Sequence, residues 1–312
     1  MFITDDKPML KIYINLRKIL RIILFLVFSK NSKIINYFIR IDLFLRKKKI
    51  FKMNLNGRFK FMNTIFYYDK VKDTSIASSI LTNGYYEKET FEEIKKNLSK
   101  GSVFIDGGAN IGFFSILTSK LVGSSGKVIC FEPTDSCYAY LLKNIKINRR
   151  KNIYLEKKAI SSQNGTVQFK INENSEENSI VSNFNKKKFL QNNIIKIKST
   201  TIDSYCKKNK ISQVDLIKLD IEGQEYEAIK GSSKIIKKNR NIKIIFELNI
   251  ANRKNGITYS KKIFKLLKKL NFNYYKLLLN PAITIRDLED KKNIELIKKI
   301  TTRHNVNILA YK

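Results

Sequence analysis

Histidine and cysteine are scarce in this chain, and so is negative charge. Among 312 residues there is one histidine, His304, and there are three cysteines, Cys130, Cys137 and Cys206. The cysteines form no CxxC pair and their count is odd. This speaks against a disulfide framework and against a Cys/His zinc site, so no metal is expected and a reduced, cytoplasmic setting is. Cys130, inside an apolar run, reads as a small core residue. Asp and Glu number 27 against 61 Lys and Arg, a formal charge of +34. Such an excess is the footprint of a nucleic-acid binder. Here, however, it is mostly lysine, comes with abundant Asn and Ile, and spreads along the whole chain, a pattern that drift in an AT-rich genome also produces.

A long hydrophobic run is missing as well. The uninterrupted part of ILRIILFLVF covers residues 22–28, far short of the roughly 20 residues a spanning helix needs, and Arg17, Lys18 and Arg21 stand directly before it. No small-residue cleavage site follows, which argues against a secretory signal. The first sixty residues hold fifteen Lys or Arg and three acids. Residues 1–80 therefore read as a basic, apolar, helical extension. It is suited to lie on an anionic membrane surface through residues 10–50, to pack on its own domain, or to join a homodimer.

What the chain has is a 43% hydrophobic composition, enough for one sizeable core, and from about residue 100 a regular punctuation. Short apolar runs at 103–105, 128–131, 153–155, 214–219 and 242–246 alternate with helical patterns at 113–121, 138–148 and 224–237. That is the signature of βαβ units and a parallel sheet. Residues 161–200 interrupt it with polar clusters that read as a hairpin and a long loop. A helix near 260–270, a run at 272–276 and the terminal NILAY suit two closing strands. The expected fold is a doubly wound, mostly parallel α/β domain over residues 81–312.

The stretch VFIDGGANIGFFS, residues 103–115, ends the first strand with Asp106 and turns through Gly107, Gly108 and Gly112. In a doubly wound sheet, ligands sit outside the carboxyl ends of the strands, where such a turn lets the backbone approach them. Ala109 stands where a dinucleotide turn has its middle glycine, and its methyl would crowd a pyrophosphate. A carboxylate at 106 would repel a diphosphate and attract a cation. S-adenosylmethionine, with an ammonium, a sulfonium and no phosphate, fits that charge. Glu132 closes the next strand, VICFE, twenty residues after Gly112, where an acid accepts hydrogen bonds from ribose hydroxyls.

Further on, VDLIKLDIEGQEYEAIKG places Asp220, Glu222 and Glu225 at the carboxyl end of another strand and the start of its helix. Catalytic groups cluster at such positions, and acids in a first turn also cap a helix and complement its dipole. With one histidine in the chain, and that one in TTRHNVN and read as a surface residue, carboxylates are the candidate proton acceptors, Asp220 first and Glu222 or Glu225 next.

VFIDGGANIGFFS, VICFEP, VDLIKLDIEGQE and the later IIFELN, with GYYEKET at 84–90, resemble the ordered motifs of FkbM-type S-adenosylmethionine-dependent methyltransferases, of the class I methyltransferase fold. The resemblance spans about residues 84–250. It implies a seven-stranded Rossmann-like sheet with an antiparallel edge, and O-methyl transfer to a hydroxyl of a sugar, glycan or small metabolite. By position, Asp106, Gly108, Asn110 and Gly112 would surround the methionine end of the cofactor, and Glu132 would hold the ribose. Ala159 would approach the adenine, although Lys158 replaces the acid or amide often found before it. Asp220 would face the methyl group, and Tyr86 and Glu87 would close over the pocket.

Two other readings stay open. One is an RNA methyltransferase, motivated by the charge, though LDIEG stands where base-amine methylation often uses an Asn/Asp-Pro-Pro-aromatic signature. The other is a non-catalytic membrane-surface protein built on residues 10–50 with a degenerate cofactor domain. Residues 172–195 form a candidate acceptor loop, with Asn178 and Ser179 as candidate contacts.

Overall fold

The computed structural model describes residues 57–69, 74–170, 179–180, 194–248, 256–279, 283–286 and 306–312. The segment 10–50, the expected membrane contact, lies outside them. Two compact units divide at residues 86 and 87. In the first, β1 (Arg58–Phe61) and β2 (Thr64–Tyr67) pair antiparallel. Met62 and Asn63 turn the chain with φ of 46° and 56°, the positive values a two-residue hairpin needs. Phe59 and Phe66 stack across the pair with centroids 5.1 Å apart. This hairpin corrects the expectation of a helical segment up to residue 80; the helix α1 (Thr74–Asn83) follows it.

The second unit is built on parallel strands whose apolar runs are almost continuous, as burial on both faces requires. The sequence alternates as expected: α2 (Lys88–Asn97), β3 (Val103–Gly107), α3 (Phe113–Val122), β4 (Lys127–Phe131), α4 (Asp135–Ile147), β5 (Ile153–Glu156). After an excursion come α5 (Ile202–Lys208), β10 (Leu216–Leu219), α6 (Glu225–Lys230), α7 (Ser233–Lys238) and β11 (Lys243–Leu248). The closing segments are α8 (Gly256–Lys269), β12 (Tyr274–Leu277), β13 (Ile283–Arg286) and β14 (Val306–Tyr311). The spatial order is β13-β12-β14-β11-β10-β3-β4-β5. Five parallel strands, β5 to β11, meet β14 antiparallel, and β14 inserts between β11 and β12. The seven expected strands are present, and β13 adds an eighth at the edge.

Two local expectations need correction. Residues 161–200 are not merely a hairpin and loop: β6 (Ala159–Ile160), β7 (Gly165–Lys170), β8 (Ser179–Ile180) and β9 (Ile194–Thr200) form a separate four-stranded sheet. The single helix expected at 224–237 is broken into α6 and α7. At the break, a methyl group on Gly231 would overlap the Ser161 carbonyl oxygen, so the small sheet's first turn sits where a continuous helix would carry a side chain.

The pleat sorts the strand residues between two faces. Ile105, Ile129 and Ile217 join the core with Ile202, Ile229, Ile236 and Phe264 of the helices α5–α8. Each such buried aliphatic contributes about 1.5–3 kcal/mol. The other face differs. Asp106 pairs in register with Cys130 on one side and Lys218 on the other, so three polar residues form a row across β4, β3 and β10, all buried. Helix α3 covers that row with Phe114 and Ser115.

Candidate active site

The site is assembled where β3, β4, β10 and β11 end together. Asp220 N–H donates to Gly107 O (3.0 Å), and the amides of Gly108 and Ala109 donate to Phe131 O (3.0 and 3.1 Å), which ties the glycine turn to its neighbouring strands. Gly108 has φ 77°, and a methyl group there would overlap the Asp220 carbonyl oxygen. Here glycine is required by both backbone conformation and close approach. Gly112, with φ 86°, lies against Leu141 of α4, and Asn144 of the same helix donates its side-chain amide to Ile111 O (2.9 Å). Asn110 is left-handed as well, φ 51°. Its backbone N–H donates to Glu132 Oε2 (2.9 Å) and its side-chain oxygen accepts from Ile111 N–H (2.6 Å).

Asp106 is not where the sequence argument puts it. Only 1% exposed, its carboxylate lies beneath α3, where Oδ2 accepts from Ser115 Oγ (2.5 Å), which in turn receives the Cys130 thiol (3.0 Å). Oδ1 is buried with no hydrogen-bond partner among the described residues. Burial raises its pKa, against the pull of Lys218 and the Ser115 hydroxyl. The solvent-facing carboxylate expected at the end of β3 is thus a buried one beneath α3.

Glu132 also sits 5% exposed. Its Oε1 accepts from both the N–H (3.0 Å) and the hydroxyl (2.7 Å) of Thr134, and its Oε2 accepts from Asn110, leaving acceptor capacity on Oε2. Burial raises its pKa, and these donors oppose the rise.

Lys218, a residue the sequence reading passed over, is the pivot. It is 2% exposed, its Nζ donates to Asp220 Oδ2 (2.9 Å), and it stands 4.6 Å from the centre of the Phe114 ring. Burial works against its charge, yet Asp220, Glu87 and Asp106 together lift its pKa above the ordinary lysine range. Asp220 itself keeps a side chain 23% exposed, and its Oδ1 has no hydrogen bond to protein among the described residues. Asp220, Glu222 and Glu247 each bring a carboxylate oxygen within 4.8 Å of the other two. That spacing suits a shared cation, although no metal was expected from the sequence and the Lys218 ammonium already flanks one member. Glu222, at φ 50°, holds a left-handed conformation that only a constrained turn sustains.

The remaining candidates separate. Glu225 is buried: its Oε1 accepts from Gly223 N–H (2.8 Å), so it closes the turn after β10 and does not line an opening. Tyr259, on α8, clamps the same turn by donating to Gly223 O (2.8 Å) and accepting from Tyr226 N–H (3.1 Å). Glu87 begins α2 at φ 39° and accepts from Asn307 Nδ2 (2.9 Å), while Asn307 pairs in register with Glu247. Ala159 is buried in β6 and pairs with β9, while the preceding Lys158 is bound to Glu156 (2.9 Å). Asn178 lies outside the described residues, and Ser179 is the first residue of β8. His304 is also outside them.

Residues 106–274 match the family described as the methyltransferase FkbM domain, a span that begins at the buried aspartate and ends at the first residue of β12. The chain belongs to the FkbM methyltransferase family. The methyltransferase sdnD of Sordaria araneosa is 27% identical over 161 residues, 43% of this chain and 62% of that protein, so the chain spans about three fifths of the relative's length. Two solved structures align more broadly. A putative rRNA methylase from Clostridium thermocellum has 12% identity and a TM-score of 0.38 over 72% of this chain and 95% of its own. A SAM-dependent methyltransferase from Aquifex aeolicus has 14% identity and a TM-score of 0.37 over 72% and 88%.

Family membership brings S-adenosylmethionine as the cofactor, and the residues fit it. The turn at Gly108 is stripped of side chain, Glu132 keeps a free acceptor position, and the strand ends around Asp220 carry an excess of carboxylates for a cationic ligand. Among the described residues no helix is long and apolar enough to cross a membrane.

Proposed function

We propose that this methyltransferase transfers the methyl group to a hydroxyl of a glycan, sugar or small metabolite, with Asp220 as the proton acceptor. Bound S-adenosylmethionine supplies an electrophilic methyl group. Glu132 and the turn at 108–112 would hold its ribose and methionine ends. The observation that carries the reading is the state of Asp220: one oxygen is fixed by Lys218 and the other has no hydrogen-bond partner among the described residues, at a strand end that also lies against Gly108. A hydroxyl is far less acidic than water-exposed carboxylic acids, so its proton must leave as the carbon–oxygen bond forms. A carboxylate held in place by one side is suited to take it. Much of the remaining rate enhancement comes from holding the acceptor oxygen in line with the methyl carbon.

The RNA reading gains support only from net charge. The loops that lead into the parallel strands, at the opposite end of the sheet, carry eight Lys or Arg and one acid.

The test is incubation with methyl-labelled cofactor and fractionated extract of the source organism, comparing wild type with Asp220→Asn. Label in glycan or small-molecule fractions, falling about a hundredfold or more in the variant, is the expected outcome. Label confined to RNA, or an unchanged rate in Asp220→Asn, would overturn the acceptor class or the role of Asp220 respectively.

A further inference from the structure

The five parallel strands have two ends, and the loops that lead into them form a rim away from the site. These loops, 98–102, 123–127, 148–152, 209–215 and 239–243, contain eight Lys or Arg, counting the first strand residues Lys127 and Lys243, and a single acid. That acid, Asp215, is committed: its carboxylate accepts from Val103 N–H (2.7 Å) and from the Gln213 side chain (2.8 Å). Lysines in the last turns of helices have an independent explanation, since they complement helix dipoles. The loop residues do not. Random drift toward lysine would load both ends alike, and the other end is rich in acids.

One corner of the rim adds apolar surface. Ile147, the last residue of α4, and Tyr154, in the edge strand β5, are each 46% exposed. They flank Arg149 and Lys151, both exposed, and Lys127 reaches to 5.9 Å from the Tyr154 ring.

We propose that this rim is a docking surface for an anionic bilayer. Basic side chains spread along a row of loops suit a plane of headgroups, and an exposed aliphatic and a tyrosine among them suit the headgroup boundary. Single-stranded nucleic acid is held by a series of aromatic faces on which successive bases stack, and this corner offers one exposed ring, Tyr154, beside an aliphatic. Position argues the same way. Strands of five residues put the rim about 15 Å or more from the methyl-transfer site. A polyanion held there is not delivered to Asp220, whereas an anchored enzyme keeps its site facing away from the membrane.

The experiment is vesicle flotation of the full chain. Wild type is mixed with vesicles of equal parts phosphatidylglycerol and phosphatidylcholine, and with phosphatidylcholine alone. It should float with the first only and be released by high salt. Arg149→Glu/Lys151→Glu/Arg240→Glu should lower partitioning about tenfold or more and Ile147→Ser a few-fold, each with unchanged cofactor affinity. Equal flotation of wild type and the triple variant would overturn the proposal, since the binding would then belong elsewhere in the chain. Failure of wild type to float would also overturn it, as would tighter, rim-dependent binding to polyuridylate than to vesicles.

Discussion

The two ends of the parallel sheet are built from the same strands and carry opposite charge. At the carboxyl ends, Asp106, Glu132, Glu156, Asp220, Glu222 and Glu247 outnumber Lys157, Lys158 and Lys218, and most of these acids are buried or half-buried and hydrogen-bonded. At the amino ends, basic residues stand almost alone and mostly exposed. A net charge of +34 is therefore a poor guide to what this protein binds at its methyl-transfer site. The local charge of that site has the other sign, as a cationic cofactor requires.

The sharpest way to break the comparison is to remove one lysine from each end. Lys218→Met strips the counter-charge from buried acids and should cost about 3 kcal/mol or more in denaturant unfolding. Adding Asp220→Asn should restore part of that loss, because the stranded carboxylate goes with it. Lys151→Met on the rim should change stability by less than about 0.5 kcal/mol. Equal costs at the two positions would mean that Lys218 is not paired as described.

Next in size is Gly108→Ala. It adds a methyl group where the Asp220 carbonyl stands and forces a left-handed alanine, so it should destabilise by roughly 2 kcal/mol and weaken cofactor binding together. A variant with wild-type stability and affinity would contradict the tight approach of the two turns.

The smallest effect is a pH slope. Because burial raises the Asp106 pKa in the fold, its contribution to stability is present at low pH. That contribution is lost as pH rises from the unfolded value of about 3.9 through the raised folded one. The Tm of Asp106→Asn minus that of wild type should therefore grow as pH rises from about 4 toward neutrality. A flat difference would place the carboxyl in a solvated setting.

Much of this was legible in the sequence. The apolar runs mark the alternation of strands and helices and a mostly parallel sheet, because parallel strands buried on both faces leave little freedom in composition; the spatial order of the strands is not written in them. Asp220 and Glu132 stand out as candidates because strand ends are short and their acids conspicuous. Asp106 is as conspicuous, but a sequence does not say on which side of a turn a carboxylate lies, and this one is buried beneath α3. Lys218 was missed because a lysine reads as surface. The available signal was its place within LIKL, in a strand with no exposed face. Glu225 was indistinguishable from a catalytic acid until Gly223 and Tyr259 closed around it, and Tyr259 lies 36 residues from the carbonyl it binds.

The most direct test is calorimetric titration of S-adenosylmethionine into three proteins: wild type, Glu132→Gln at the carboxyl end, and Arg149→Glu/Lys151→Glu/Arg240→Glu on the rim. Glu132→Gln should lose about tenfold or more in affinity while unfolding at a similar temperature, and the rim variant should stay within about twofold of wild type. Loss of affinity in the rim variant with Glu132→Gln unaffected would contradict this placement of the cofactor.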